Sequence, residues 1–429
     1  MTRTLLRHFV ALTGVAALAG YVAVYGLHFA DQPIRSDGFS YYVYLPSWFL
    51  HGDPTLESVA RDCCGGTFPI WTNISRWPET GHWVDAHPIG DAVLMMPFFA
   101  AATALSWWSN LPRDGFSLYY QHFAGLAGLV YLLAGLAVLR RLLRRHFTDG
   151  VVLATLATIT FGTNLFHYGT YDSIFSHAYA FFLITALVAL TEWWWDDPRW
   201  PVSLALAGVA ALIVLARHPN GLFLVLIPLY GVTSWRTLVR NLSAIWDRRV
   251  TVAGMTVMAA FCLTPQLVIY KRATGHWLVS SYGTIGHFTF ASPHLADVLF
   301  SVQKGLLFWS PALALGGMLV ARGWARGLIV PTSVVMALDT YLIASWWDWQ
   351  FGGSYGHRAF VDSFGLLAIF LASFFAWAAE RPRVMPVVEA VAGASVLLSV
   401  VQMIQYWRGI IPISDMTWDR YRDLFMQFR

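Results

Sequence analysis

The chain has 429 residues, 57% of them hydrophobic, 16% aromatic and only 12% charged, with a formal charge of +4. A soluble domain carries about 25% charged residues, so this composition excludes an ordinary water-soluble globule and fits a chain embedded in lipid. The basic residues form no continuous stripe, which argues against a nucleic-acid partner.

In chain order, a short basic start (Arg3, Arg7) precedes an apolar run at 9–29. That run is longer than the apolar core of a signal peptide, and His28-Phe29-Ala30 lacks the small residues of a cleavage site, so an uncleaved first span is expected. A long extracytoplasmic loop follows at 30–116. Within it, 88–108 is apolar enough to resemble a further span and is read as an interfacial or re-entrant helix. Further spans are expected at 117–139, 150–168, 173–194, 202–216, 219–233, 251–270, 304–321, 328–345, 359–379 and 385–406, before an extracytoplasmic tail at 407–429. The expectation is an all-α integral membrane protein of about eleven spans, forming a single polytopic domain over 1–429.

Basic residues enrich cytoplasmic loops, and this count places every compact cluster on one side. Arg3 and Arg7, Arg140 to Arg145, Arg236 to Arg249, Arg322 with Arg326, and Arg381 with Arg383 all fall at inner ends. Counting 88–108 as a crossing would move Arg140 to Arg145 outside. The N-terminus is therefore expected in the cytoplasm and the C-terminus outside it.

The polar chemistry then gathers in the outer turns. The first loop carries Arg35-Ser36-Asp37-Gly38, Tyr41, Tyr42, and later His82, Asp85 and His87. The next turns hold Thr163 to His177, with Asp172 and His177, and Arg217-His218-Pro219-Asn220. Tyr282 and Ser301 to Gly305, with Lys304, follow. The last is Trp346-Trp347-Asp348-Trp349 through Gly352-Gly353 to His357-Arg358 and Asp362. Ionisable groups beside membrane helices usually line a site, a pathway or a pairing network. Each also has a plainer reading: a solvated Asp, an interfacial Trp belt, or Arg358 paired with Asp362 four residues on. His82, Asp85 and His87 form a loose ligand set whose spacing fits no standard metal site. Cys262 reads as a packed thiol. The vicinal pair Cys63-Cys64 reads as non-catalytic, its oxidation state open. No P-loop, GxGxxG or HExxH is present.

Several segments together carry a resemblance. They are Ser36-Asp37-Gly38 with Tyr41-Tyr42 and Leu45-Pro46, His87-Pro88-Ile89-Gly90 leading to Pro97-Phe98-Phe99, and Thr163-Asn164-Leu165-Phe166 through Ser176-His177. Leu299-Phe300-Ser301 through Lys304-Gly305 to Ser310-Pro311, Trp346 to Arg358, and Gln402 to Tyr406 with Gly409-Ile410 and Asp415-Met416-Thr417 complete it. The chain resembles the GT-C superfamily of membrane glycosyltransferases. More closely, it is similar to a bacterial branch grouped with the family 39 glycosyltransferases.

The resemblance implies transfer of a sugar from a polyprenyl-phosphate donor to a glycan, lipid or protein acceptor, on the outer face of the bacterial inner membrane. It implies that an acidic residue just after the first span acts as base, here Asp37. The usual second carboxylate is replaced by Gly38, so use of a divalent metal stays open, as does an inverting or retaining outcome.

On the residues' own chemistry, a carboxylate must take the acceptor's proton, and cations must meet the departing phosphate. Asp37 is the first candidate base and Asp85 the second. Arg358 and Arg217 have the planar fork that suits phosphate oxygens, with Lys304 third. Tyr41, Tyr42, His87, Asp172, His177, Tyr282, Trp346, Trp347, Trp349 and His357 are expected to wall the sugar and the proximal lipid. The rival readings are a flippase or other transporter for a lipid-linked glycan, and a non-catalytic membrane scaffold. A transporter should show internal repeats and charges through the depth of its spans; the notable mid-span charges are Asp339 and Glu389.

Overall fold

The computed structural model describes residues 2–26, 32–283 and 286–428. The end expected for the first span, at 29, lies outside them. The chain is helical almost throughout, with one short hairpin. In order, the helices are α1 (Thr2–Tyr21), α2 (Asp37–Leu45), α3 (Glu57–Cys64), α4 (Gly90–Trp108), α5 (Leu118–Leu143), α6 (Asp149–Phe161), α7 (Leu165–Tyr168) and α8 (Ser176–Asp196). They continue with α9 (Trp200–Ala216), α10 (Leu226–Leu229), α11 (Trp235–Asp247), α12 (Arg249–Thr274), α13 (Leu295–Phe300) and α14 (Leu306–Trp309). Last come α15 (Gly323–Arg326), α16 (Ile329–Ser345), α17 (Phe364–Ala379), α18 (Met385–Trp407) and α19 (Trp418–Leu424). Strands β1 (Ile74–Arg76) and β2 (Trp83–Asp85) pair antiparallel, Ile74 opposite Asp85.

Among the described residues, 7 helices are long and apolar enough to cross a membrane, and shorter apolar ones lie between them. The protein is thus an all-α chain with the helices of a multi-pass membrane protein. The expected span 304–321 is not one helix. Gly305, the Ser310-Pro311 step and Gly316-Gly317 divide it into α14 and two 3₁₀ turns, because proline and glycine interrupt the i to i−4 ladder. The expected span 219–233 likewise opens as a 3₁₀ turn, His218–Val225, before the single turn of α10.

The basic clusters meet one another at one end. Arg140 donates to the carbonyls of Leu6 and Arg7, and Arg144 lies 3.1 Å from Asp149. Arg145 reaches Glu192 and Asp196 at the end of α8, and Arg248 lies over the rings of Trp194 and Trp195. His146 stacks on Trp324, beside Arg322 and its partner Glu380. The 21 residues of α8 separate this end from His177 by about 30 Å.

Helix α4 has an informative register. By length and composition it is one of the seven. Yet the Tyr131 hydroxyl donates to the carbonyl of Leu94, Phe99 packs on Tyr120, and Ser109 lies 3.2 Å from the Tyr119 hydroxyl. The helix therefore rises from halfway along α5 to the start of α5, away from Arg140. Its first residue is locked in place. A Cβ on Gly90 would stand 2.3 Å from the backbone of Leu215 and Ala216, so the start of α4 lies directly on the end of α9.

Candidate functional site

Asp37 opens α2, where a carboxylate faces the positive end of the helix dipole. Ser36 before it takes φ 50°, turning the chain sharply into the helix. Gly38 after it lies against Ile174, whose Cγ2 would meet a Cβ at 2.2 Å. Asp37 Oδ2 is 2.7 Å from Nη2 of Arg358, and Asn73 donates to Oδ1 at 3.3 Å. The Arg358 guanidinium lies over the ring of Phe175. Burial opposes the charge on Asp37, but Arg358, His87 and His177 outweigh it and hold the carboxyl below its ordinary value.

The β1–β2 hairpin supplies the next wall. It brings Asn73 to Asp37 and sets Asp85 behind His87. The His87 backbone N–H donates to Asp85 Oδ1 at 2.8 Å, and the His87 ring nitrogen lies 3.4 Å from the same oxygen. On its cleft side His87 meets the ring of Tyr41 at 4.5 Å and the hydroxyl of Tyr282 at 3.4 Å. Tyr282 in turn packs on Trp346. Asp85 is buried, its Oδ2 has no partner, and burial pushes its carboxyl up to about 6. It backs His87, accepting from the His87 N–H, whereas Asp37 is partly exposed and pairs with Arg358.

Arg217 ends α9 and projects its guanidinium to Asp362, 2.6 Å away. Asp362 is the centre of a buried network that also takes Nδ1 of His177 at 2.9 Å and the amide of Asn220 at 2.8 Å. Phe351 lies beneath Arg217. The local pair expected between Arg358 and Asp362 is therefore replaced by two long-range pairs. His177 is bound within this network.

Most of the other expected residues have partners of their own, away from the Asp37–Arg358 pair. Asp172 is held by Arg35 at 3.2 Å and by His167 at 2.9 Å, with the Trp407 indole donating to the other His167 nitrogen. These partners outweigh burial and hold the Asp172 carboxyl down at about 2. Lys304 is buried, and its ammonium donates to the carbonyls of Ser354 and Ile413. It ties the 346–357 turn to the tail. Tyr42 fills the core beside Phe99 and Phe116, its hydroxyl donating to Gly115 O. The three tryptophans diverge: Trp346 meets Tyr282, Trp347 stacks on His287, and Trp349 stacks on His294. His357 is buried between Phe351 and Phe360, and neither ring nitrogen has a partner.

His82 is exposed while Asp85 and His87 are buried, so that loose ligand set is not assembled. Among the described residues, no group of three His, Cys, Asp or Glu side chains is placed to hold a metal ion. Cys63 and Cys64 are joined as a vicinal disulfide at the exposed end of α3. A cavity of 280 Å³ among His146, Arg322, Trp324 and Trp377 lies at the basic end, remote from Asp37.

Asn73, Phe175, Phe351 and the central role of Asp362 were not legible beforehand. Asn220 had stood only as a neighbour of Arg217; its pairing with a carboxylate from another turn has no local signal.

Comparison with protein-family models, with curated proteins and with solved structures finds no match.

Proposed function

We propose that the protein is a membrane glycosyltransferase that takes a sugar from a polyprenyl-phosphate donor at the cleft around Asp37. The observation that carries this reading is the pairing of Asp37 with Arg358, both only partly exposed, beside Tyr41, His87, Tyr282 and Trp346. In the proposed step, Asp37 accepts the proton of the acceptor hydroxyl as its oxygen bonds to the anomeric carbon. The anomeric carbon–oxygen bond to phosphate breaks, and its electron pair leaves with the polyprenyl phosphate. Arg358 has further N–H donors beyond the one facing Asp37, and these meet the growing phosphate charge. Arg217 supports the same wall. The apolar rings next to the cleft receive the sugar face and first isoprenes.

In this reading the chain crosses the bacterial inner membrane about eleven times, with the basic end in the cytoplasm, α4 in the outer half and the cleft outside. The direct test is release of polyprenyl phosphate from defined polyprenyl-phosphate sugars by the purified protein in nanodiscs. Turnover in the wild type and its loss in Asp37→Asn support the reading. Absence of turnover across a donor and acceptor panel, with unchanged envelope glycans in a deletion strain, would end it.

A flippase for a lipid-linked glycan is the second reading, and one observation favours it. Asp91 in α4 and Asp339 in α16 are buried in apolar helices, and both oxygens of Asp91 and one of Asp339 lack partners. Transporters use such groups. Movement of labelled donor between leaflets without sugar transfer would select this alternative.

A further inference from the structure

Helix α11 divides its side chains among three faces. Asn241 is buried and donates to the carbonyls of Pro228 and Tyr230, with Leu238 and Ile245 half-buried on the same side. Arg236, Arg240 and Ser243 are exposed on the opposite side. Between these faces run Trp235, Val239, Leu242 and Trp246, at i, i+4, i+7 and i+11, which place them in one stripe. All four are between 44% and 75% exposed. A capping box of Ser234 and Thr237 fixes where the helix starts.

The stripe does not end with α11. It continues into Val250, Val257 and Phe261, exposed on α12, the least buried of the long apolar helices. One apolar surface thus turns from α11 onto a helix long enough to cross the bilayer. Four arginines, at 236, 240, 248 and 249, accompany it, with Asp247 the only acid between 235 and 249.

We propose that α11 lies in the membrane plane at the basic end of the bundle and binds anionic lipid headgroups. Its stripe enters the acyl boundary, with tryptophans at both ends at headgroup depth, and Arg236 and Arg240 face the lipid phosphates. Asn241 fixes the helix to the bundle through Tyr230, whose hydroxyl accepts from the Trp324 indole at 2.7 Å. Charge complementarity favours an anionic lipid over a neutral one. A second copy of the chain would have to cover the outward face of α12 as well.

The test uses the full-length protein in nanodiscs of phosphatidylcholine with or without phosphatidylglycerol. Nitroxides are placed at Val239→Cys, Leu242→Cys and Arg240→Cys in a Cys262→Ala background. Positions 239 and 242 should collide preferentially with oxygen, and 240 with a water-soluble nickel complex. Spin-labelled phosphatidylglycerol should be enriched around the wild type, and Arg236→Gln with Arg240→Gln should lower that preference roughly 30-fold, the scale set by two basic residues at an anionic surface. Equal nickel access at all three positions overturns the proposal. So does shielding of 239 and 242 from both agents, which would mean a protein partner, or a lipid preference unchanged in the double variant.

Discussion

Oδ2 of Asp37 stands 2.7 Å from Nη2 of Arg358, joining the first loop to a turn in the last fifth of the chain. The two candidate roles, base and phosphate ligand, therefore fall on neighbouring groups. Asp37→Asn keeps the shape and removes the proton acceptor, so turnover should fall about 10²–10⁴-fold with donor binding retained. Asp85→Asn, behind His87, should cost less. A turnover assay with both variants checks the ranking; an active Asp37→Asn beside an inactive Asp85→Asn would reverse the assignment.

In the proposed reaction Arg358 would act on Asp37 as well as on the donor phosphate. Arg358→Gln removes the cation that holds the Asp37 carboxyl down, so the acid limb of the kcat/KM profile should move to higher pH. Arg358→Lys keeps a charge but loses the fork, and should restore the limb while leaving turnover low. A limb that stays in place in Arg358→Gln would separate Asp37 from the rate.

Asp362 should matter for stability. Asp362→Asn leaves Arg217 and His177 without their carboxylate, and breaking a buried pair in this way costs about 3–5 kcal/mol. A clear drop in the thermal midpoint in detergent is expected. A midpoint like the wild type would mean that Arg217 finds another partner.

The hairpin should respond to pH. The folded Asp85 carboxyl sits at about 6, above the ordinary value, so its contribution is complete at low pH and is lost as pH rises through 6. Hydrogen exchange in 72–89, corrected for intrinsic rate, should show more protection at pH 5 than at pH 8. Asp85→Asn should flatten the difference.

Gly90→Ala tests the seam between α4 and α9 without removing a polar side chain. The added carbon meets backbone at 2.3 Å on both Leu215 and Ala216, so the helices must part. Because His87 lies just before that seam on one side and Arg217 just after it on the other, activity should fall at least tenfold, a small displacement being sufficient. Wild-type activity would show that the two walls work independently.

Much of this was readable from sequence where the signal is local. Long apolar runs marked α5, α8, α12 and α18, and the charged turns named both Asp37 and Arg358. Their pairing was not readable, because no periodicity links residues so far apart. The failure at Asp362 has a geometric cause: residues 358–363 form a 3₁₀ turn, with about three residues per turn, so positions four apart point in different directions. The plainer alternative, Arg358 paired with Asp362, assumed the i,i+4 contact of an α-helix. Tyr42 was misread because its phenol suggested a wall, while its place on α2 turns it into the core.

The Lys304 clamp has a consequence for the order of assembly. Its ammonium is received by carbonyls of Ser354 and Ile413, and the latter lies beyond α18. Until α18 has been made and the segment after it has folded back, that ammonium lacks one of its two acceptors, and the turn bearing Arg358 is held only by earlier parts of the chain, such as Asn164 and Tyr168 on the Tyr355 carbonyl. The turn therefore takes its last tie from the final stretch of the chain to be made.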